Sequence, residues 1–396
     1  MPMERPEASD PARAATRRRD GATSPVMRVL DRYLEAAIEA GASDLHLEPD
    51  VSGLAVRLRI DGVLRTIDPP PRSLADALVT RARLLAGVDL AEHRLPQDGR
   101  FVHKHRDESV DVRAAFMPVH GGERIALRLM QPETRAVGFE GLGLDAPDHA
   151  LLARALDRPH GLVAVVGPTG SGKTTTLYAA IERLRRPHLS IMTVEDPVER
   201  ALPGIAQVSV DEDCGRTFGA VLRAILRQDP DVIMVGEMRD AESARIACRA
   251  ALTGHRVLTT LHTADTREAV LRLSDLEVPD YLVRATLSLV IAQRLVRRLC
   301  RACRVLARPR PVETALFLAL GLEAPAQLGR SSGCAECSAE GYRGRLAVFE
   351  LLPVGDRSAA SLPRPRKTLL EEGLRMAAAG ETSFEEVVSV CPEPTR

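Results

Sequence analysis

The chain has 396 residues, enough for two or three domains, and its 45% hydrophobic content supports sizeable cores. Lys and Arg together number 54, as do Asp and Glu, so the net charge is zero; aromatic residues make up only 3%, with no Trp. That excludes the broad basic field and the aromatic stacking platforms of a nucleic-acid binder. No apolar run is long enough to cross a bilayer, and Arg17-Arg18-Arg19 is followed by Asp20-Gly21 rather than by the apolar core of a secretory signal. The cytosol is the expected compartment, and seven cysteines, four of them in two C-x-x-C pairs, fit it better than a disulfide ladder does.

Residues 1–25 are rich in Pro, Ala, Arg and Asp without a hydrophobic period and read as a disordered tail. Val26 to Ala40 carries apolar residues at helical spacing, with Gly41 as a stop. Short alternating runs follow at Asp44–Glu48, Leu54–Ile60 and Val63–Ile67, with Asp61-Gly62 as a hairpin turn. A helix is expected over Leu74–Ala86, then strands at Arg100–His105, Ser109–Phe116 and Arg124–Met130. Residues 26–135 thus form one mixed α/β domain, and Gln131 to Pro147 reads as a linker.

From residue 148 strands alternate with helices, at 162–166, 190–194, 205–210, 232–235 and 256–261, which implies a mostly parallel sheet covered by helices over 148–298. Leu282 to Leu299 reads as a long helix with a basic last turn of Arg294, Arg297 and Arg298. A cysteine-bearing segment (299–345) and a short helical C-terminus (346–396) complete the chain.

Gly167-Pro168-Thr169-Gly170-Ser171-Gly172-Lys173-Thr174 is a complete phosphate loop between an apolar strand and a helix. Such a turn aims backbone N–H groups and the positive end of a helix dipole at one point. Lys173 reaches the β- and γ-phosphates of a nucleoside triphosphate, the Thr174 hydroxyl ligates Mg²⁺, and Thr175 completes the binding set. Glu237 ends the apolar strand Val232–Val235, at the edge that faces ligand in an open parallel sheet; it suits a Walker B role toward Mg²⁺ or its water, although Gly236 stands where many NTPases carry an Asp. Glu195, Asp196 and Glu199 cluster at another strand end and either polarise water or bind Mg²⁺, or form a solvated acidic loop. His255 and His262 flank a strand and either sense the γ-phosphate or are structural. Cys300, Cys303, Cys334 and Cys337, in two pairs separated by 30 residues, suit a closed tetrahedral Zn²⁺ site.

Together these segments resemble the secretion and type IV pilus assembly ATPases of the GspE/PilB family, from about Val26 to the C-terminus. Ala42-Ser43-Asp44-Leu45-His46-Leu47-Glu48-Pro49, Val56 to Leu64 and Arg94-Leu95-Pro96-Gln97-Asp98-Gly99-Arg100 resemble that family's N2 motifs, the Glu195 segment its Asp box, Gly236-Glu237 its atypical Walker B and Gly254 to Thr263 its His box. The resemblance implies a PAS-like N2 domain followed by a RecA-like P-loop NTPase core with a tetracysteine zinc subdomain. It implies ATP, Mg²⁺ and Zn²⁺ as cofactors. Glu195 would polarise water, Glu237 would support Mg²⁺, His262 and His255 would sense the nucleotide, and Arg100 and Arg113 would direct guanidinium groups to the phosphates. It further implies a cytoplasmic homo-hexamer at the inner membrane, working with a platform protein to assemble a pseudopilus for type II secretion, with pilus extension or competence as close alternatives; a nucleic-acid translocase built on a RecA core is the competing reading from a different class. The four cysteines favour the export type over the retraction ATPases. A separate N-terminal docking domain is expected to be absent, Leu352 to Leu369 is short and Pro-rich, and Gly121-Gly122-Glu123 replaces a more usual His-Gly-Glu.

Overall fold

The computed structural model describes residues 25–51, 53–106, 108–130, 137–355 and 362–392. The expected tail lies outside these residues apart from Pro25, which opens the first helix. The chain divides into two compact units, Met1–Gln131 and Pro132–Arg396.

In the first unit, α1 (Pro25–Glu39), β1 (Asp44–Asp50), β2 (Gly53–Ile60), β3 (Val63–Ile67), α2 (Ala75–Ala86), β4 (Gln97–His105), β5 (Glu108–Val119) and β6 (Gly122–Met130) follow in order. The strands form an antiparallel sheet in the order β3-β2-β1-β6-β5-β4. Alternation decides which face is buried: Leu45, Leu47, Val56, Leu58, Val112, Ala114, Ile125 and Leu127 pack against Leu30, Leu34 and Ala37 of α1 and Leu78 and Ala82 of α2. Their strand neighbours, many of them arginines, take the other face. Gly99 is required by close approach, because a Cβ there would lie 2.5 Å from the Ala86 carbonyl at the end of α2.

The second unit runs α3 (Ala146–Leu156), β7 (Gly161–Val166), α4 (Lys173–Leu184), β8 (Ile191–Glu195), β9 (Ala206–Ser209), α5 (Phe218–Ile225), β10 (Val232–Val235), α6 (Ala241–Leu252), β11 (Arg256–Leu261), α7 (Thr266–Asp275), α8 (Asp280–Thr286) and β12 (Leu287–Leu299). There follow β13 (Val305–Ala307), α9 (Pro311–Ala319), β14 (Leu328–Arg330), β15 (Tyr342–Pro353), α10 (Leu369–Ala378) and α11 (Phe384–Val390). Its main sheet has the order β15-β12-β7-β11-β10-β8-β9, parallel from β12 to β9 and antiparallel only at β15. Both faces are covered. In β7, Leu162, Ala164 and Val166 point to the core beneath α5–α8 and α10–α11, and Val163 and Val165 to the core beneath α3 and α4. Such two-sided burial is what an all-apolar parallel strand encodes.

The structure corrects the helix expected over Leu282–Leu299. Only Asp280–Thr286 is helical, and Leu287–Leu299 is a thirteen-residue strand. Leu, Ala, Gln and Arg favour helix, and the continuous apolar run Leu289–Ala292, buried on both faces, hides the period of two; Val290, Ile291 and Val296 carry the β signal. The linker ends earlier than expected, with α3 beginning at Ala146, and β15 occupies the first residues of the expected helical C-terminus.

Candidate nucleotide site and cysteine cluster

All the parallel strands end on one side of the second sheet, and the chemistry collects there. β7 stops at Val166, residues 167–172 turn, and α4 starts at Lys173, with Thr174 and Thr175 in its first turn. Pro168, Thr169 and Gly170 form the exposed crown of the turn. Gly167 (φ +152°) and Gly172 (φ +88°) face β12: a Cβ would meet the Gln293 carbonyl oxygen at 2.5 Å in the first case and Gln293 Nε2 at 2.7 Å in the second. Lys173 is buried and folds back, its Nζ donating to the carbonyls of Gly167 and Pro168 at 2.9 Å each. Burial lowers its pKa, opposed by the negative charge of Glu237. The buried Ser171 hydroxyl has no hydrogen-bond partner among the described residues. A spare donor and an ammonium satisfied only by carbonyls, at the N-terminus of α4, fit an anionic phosphate.

Glu195 ends β8 and is 3% exposed. The Tyr178 hydroxyl of α4 donates to its Oε2, and Thr193 Oγ1 and Gln207 Nε2 (3.1 Å) donate to its Oε1. Both carboxylate oxygens are therefore engaged. Glu237, just past β10, is more open. Its Oε2 accepts from Arg239 Nε at 2.9 Å, and its Oε1 lies 3.2 Å from His262 Nε2, just past β11. Arg239 also donates from Nη1 to the exposed Asp196 at 2.9 Å, tying the ends of β8, β10 and β11 together. Burial and then the positive charge of Lys173 hold the His262 pKa below its ordinary value, opposed by the negative charge of Glu237. His255 is not part of this group. It precedes β11, at the opposite end of the sheet, and its Nδ1 lies 3.0 Å from the Ala250 carbonyl at the end of α6.

Gly236 has a spatial reason. A Cβ there would lie 3.2 Å from the Val194 carbonyl oxygen and 3.3 Å from Glu195 Cα, tighter than side chains ordinarily sit. The commoner Asp would crowd the end of β8.

The four cysteine sulfurs converge. Cys300 and Cys334 Sγ are 3.9 Å apart, Cys303 and Cys337 3.7 Å, and Cys334 and Cys337 3.8 Å. Four thiolates at about 2.3 Å from one ion lie about 3.8 Å from each other, so the set fits tetrahedral Zn²⁺. The backbone N–H groups of Cys334 and Gly341 donate to Cys337 Sγ at 3.2 and 3.1 Å. Although burial alone would raise it, these N–H groups bring the Cys337 thiol down to about 6, toward the thiolate a metal needs. Among the described residues this is the one group of His, Cys, Asp and Glu that converges tightly enough to hold a metal ion.

In the first unit, Arg100 and Arg113 share the exposed sheet face. Arg100 is largely exposed, with Asp111 at 3.4 Å.

The family model described as "Type II/IV secretion system protein" matches residues 20–389. The chain belongs to this family. Two curated relatives in the secretion family are "Type II secretion system protein E" of Pectobacterium carotovorum, 43% identical over 93% of this chain and 76% of its own length, and "Type II secretion system ATPase E" of Vibrio cholerae, 42% identical with the same coverage. The solved Legionella pneumophila ATPase DotB shares the fold (TM-score 0.67, 21% identity, 94% of this chain and 97% of that one). So does the pilus retraction motor PilT with bound ADP (TM-score 0.59, 26% identity, 92% and 97%).

Within this secretion-family fold, sequence reasoning missed Tyr178, Gln207, Arg239, Gln293 and Arg294. Arg239 was within reach, because it follows Glu237 by two residues. Gln293 and Arg294 were hidden by the mistaken helix, since only a strand in that place runs beneath the phosphate loop.

Proposed function

We propose that this chain is the ATP-hydrolysing motor of a type II secretion system. The observation that carries the reading is the convergence of an intact phosphate loop with Glu237, His262 and Glu195 at neighbouring strand ends. The names of the secretion relatives support the system, and the cysteine cluster favours the export type over pilus retraction.

Bound phosphates replace the two carbonyls as acceptors for Lys173, and the Ser171 hydroxyl and loop N–H groups complete the cradle. Thr174 and Glu237 would hold Mg²⁺, which would neutralise phosphate charge. Glu195 polarises the attacking water once Tyr178 releases Oε2. Glu237, already near solvent, orients water in the arrangement described here, and His262 reports phosphate charge to it. Arg100 and Arg113 supply further positive charge in the assembled ring, since a guanidinium suits charge spread over γ-oxygens. One Zn²⁺ held by four thiolates is structural. The working form is a homo-hexamer docked through a platform protein at the cytoplasmic side of the inner membrane. No helix among the described residues is long and apolar enough to cross a membrane.

The test is ATP turnover by the full chain against protein concentration. Activity per chain should rise as rings form and vanish in Lys173→Ala. Concentration-independent turnover by a monomer overturns the ring motor, turnover unaffected by Lys173→Ala overturns the site, and stimulation by DNA favours the translocase instead.

A further inference from the structure

β12 passes beneath the phosphate loop and then leaves the core. Its residues Leu289–Ala292 pair with Val163–Val166 of β7, so Gln293 and Arg294 come where β7 has already turned into the loop. Both side chains are buried, at 3% and 7% exposure. Gln293 Oε1 accepts from the Thr176 hydroxyl of α4 at 2.7 Å, and its Nε2 faces Gly172. Arg294 Nη1 lies under Gly167, 3.1 Å from where a Cβ would stand, and donates to the Gln293 carbonyl at 3.0 Å. Its Nη2 donates to the Ala264 carbonyl at 2.7 Å, two residues beyond His262.

Arg294 is an oddity in energetic terms. A buried guanidinium ordinarily faces a carboxylate. Here its hydrogen-bond acceptors are carbonyls, and it forms no ion pair among the described residues; Glu350, Asp265 and Glu268 act on it only through space. A positive charge kept out of water without a direct counter-ion, beside a loop shaped for anions, is costly until an anion binds.

We infer that Arg294 is a positioning residue for the ATPase reaction, a fixed charge beneath the phosphate loop that also ties that loop to the His262 segment. The inference rests on the ATPase reading. The charge favours nucleotide affinity. The bond to Ala264 holds the His262 segment in register with Glu237 and favours turnover. The two contributions separate by substitution. Met keeps the approximate length and loses the charge; Lys keeps the charge but lacks the planar fork that reaches both carbonyls.

The experiment measures nucleotide affinity with a fluorescent ATP analogue, and kcat for ATP, on the full-length chain. Wild type, Arg294→Met, Arg294→Lys and Lys173→Ala are compared, each normalised to folded fraction by circular dichroism. Arg294→Met should weaken affinity about tenfold, the loss expected for one charge-assisted contact. Arg294→Lys should keep affinity within about threefold of wild type yet lose about tenfold in kcat. If the Met protein does not fold, the Lys protein decides alone: wild-type kcat overturns the assignment, and lost kcat with kept affinity upholds it. Wild-type affinity and kcat in both variants overturn it, as do losses that only track folded fraction. If wild type fails to bind the analogue, the ATPase reading falls and this assignment with it; if wild type binds and Lys173→Ala does not, failure of the Arg294 variants to differ sinks the assignment only.

Discussion

Arg100 on β4 stands directly opposite Arg113 on β5, and Arg113 directly opposite Arg128 on β6. Like charges in cross-strand register destabilise a sheet by a few tenths of a kcal/mol or more. Asp44 pairs with Arg128 at 3.0 Å, and Asp111 lies near Arg100, but no carboxylate ion pair is formed by Arg113 among the described residues. A row of this kind makes sense where an anion is to be met.

Removing the middle charge should therefore separate stability from activity. In urea melts Arg113→Ala should be neutral or stabilise by up to about 0.5 kcal/mol. In the assembled ring its turnover should fall by on the order of 10³-fold, as for guanidinium groups that stabilise phosphoryl transfer. Lost stability with near-normal specific activity would identify a purely structural arginine.

Glu195→Gln and Tyr178→Phe should act in opposite senses. The amide keeps much of the hydrogen bonding and loses the charge, so ATP binding should persist while hydrolysis falls at least a hundredfold. Tyr178→Phe frees Oε2 and should leave turnover unchanged or raised, at a stability cost of about 1 kcal/mol for the lost bond. Normal hydrolysis by Glu195→Gln would hand water activation to Glu237 alone.

Metal analysis of protein purified without chelator should find one Zn²⁺ per chain. Structural zinc sites are worth about 10–16 kcal/mol in isolated peptides, so Cys300→Ser should loosen the surrounding segment. The bonds at risk are Leu299 N–H to the Glu381 carbonyl and Cys300 N–H to the Gly341 carbonyl. Nucleotide binding should survive, because the β12 residues that face the phosphate loop remain paired to Phe349 and Val348 of β15. Loss of binding in the metal-free protein would contradict this.

Acid should attack the segment through Glu313. Burial alone would raise this carboxyl, but the guanidinium groups of Arg330 and Arg310 hold it down at about 2, against an ordinary value of 4.5. A carboxyl depressed in the folded state stabilises fully above its unfolded pKa, and that share is lost as pH falls from about 4.5 toward 2. Glu313→Gln should cost about 2 kcal/mol at pH 7 and flatten the acid limb of the stability curve, read by thermal melts at several pH values. An unchanged acid limb would place the acid sensitivity elsewhere.

Much of this was legible in the sequence. The first unit's strands alternate cleanly, so β1, β2 and β3 were bounded to within a few residues. The phosphate loop and the four cysteines are local patterns whose chemistry is fixed by residue type. What stayed hidden depends on long-range register. Tyr178 reaches Glu195 across 17 positions, and Gln293 reaches Thr176 across 117. No spacing rule foresees a partner that a sheet supplies. β12 was misread because burial of Leu289–Ala292 on both faces erases the alternation by which a strand is recognised, and with it went Gln293 and Arg294. The two histidines differ for the same reason. Only strand direction tells which end of β11 lies beside the phosphate loop.

The register of β12 with β15 sets where the two cysteine pairs meet. Leu299 pairs with Tyr342, so the whole cysteine segment leaves the sheet and returns to it at adjacent points. It is one long hairpin loop between two neighbouring antiparallel strands. Its Phe317 and Leu328 join the core that α10 and α11 cover, so the loop is packed into the unit rather than hung from it. The metal's hold is thus felt first where β12 leaves the sheet and β15 returns to it, because the four thiolates join the two ends of one long hairpin loop.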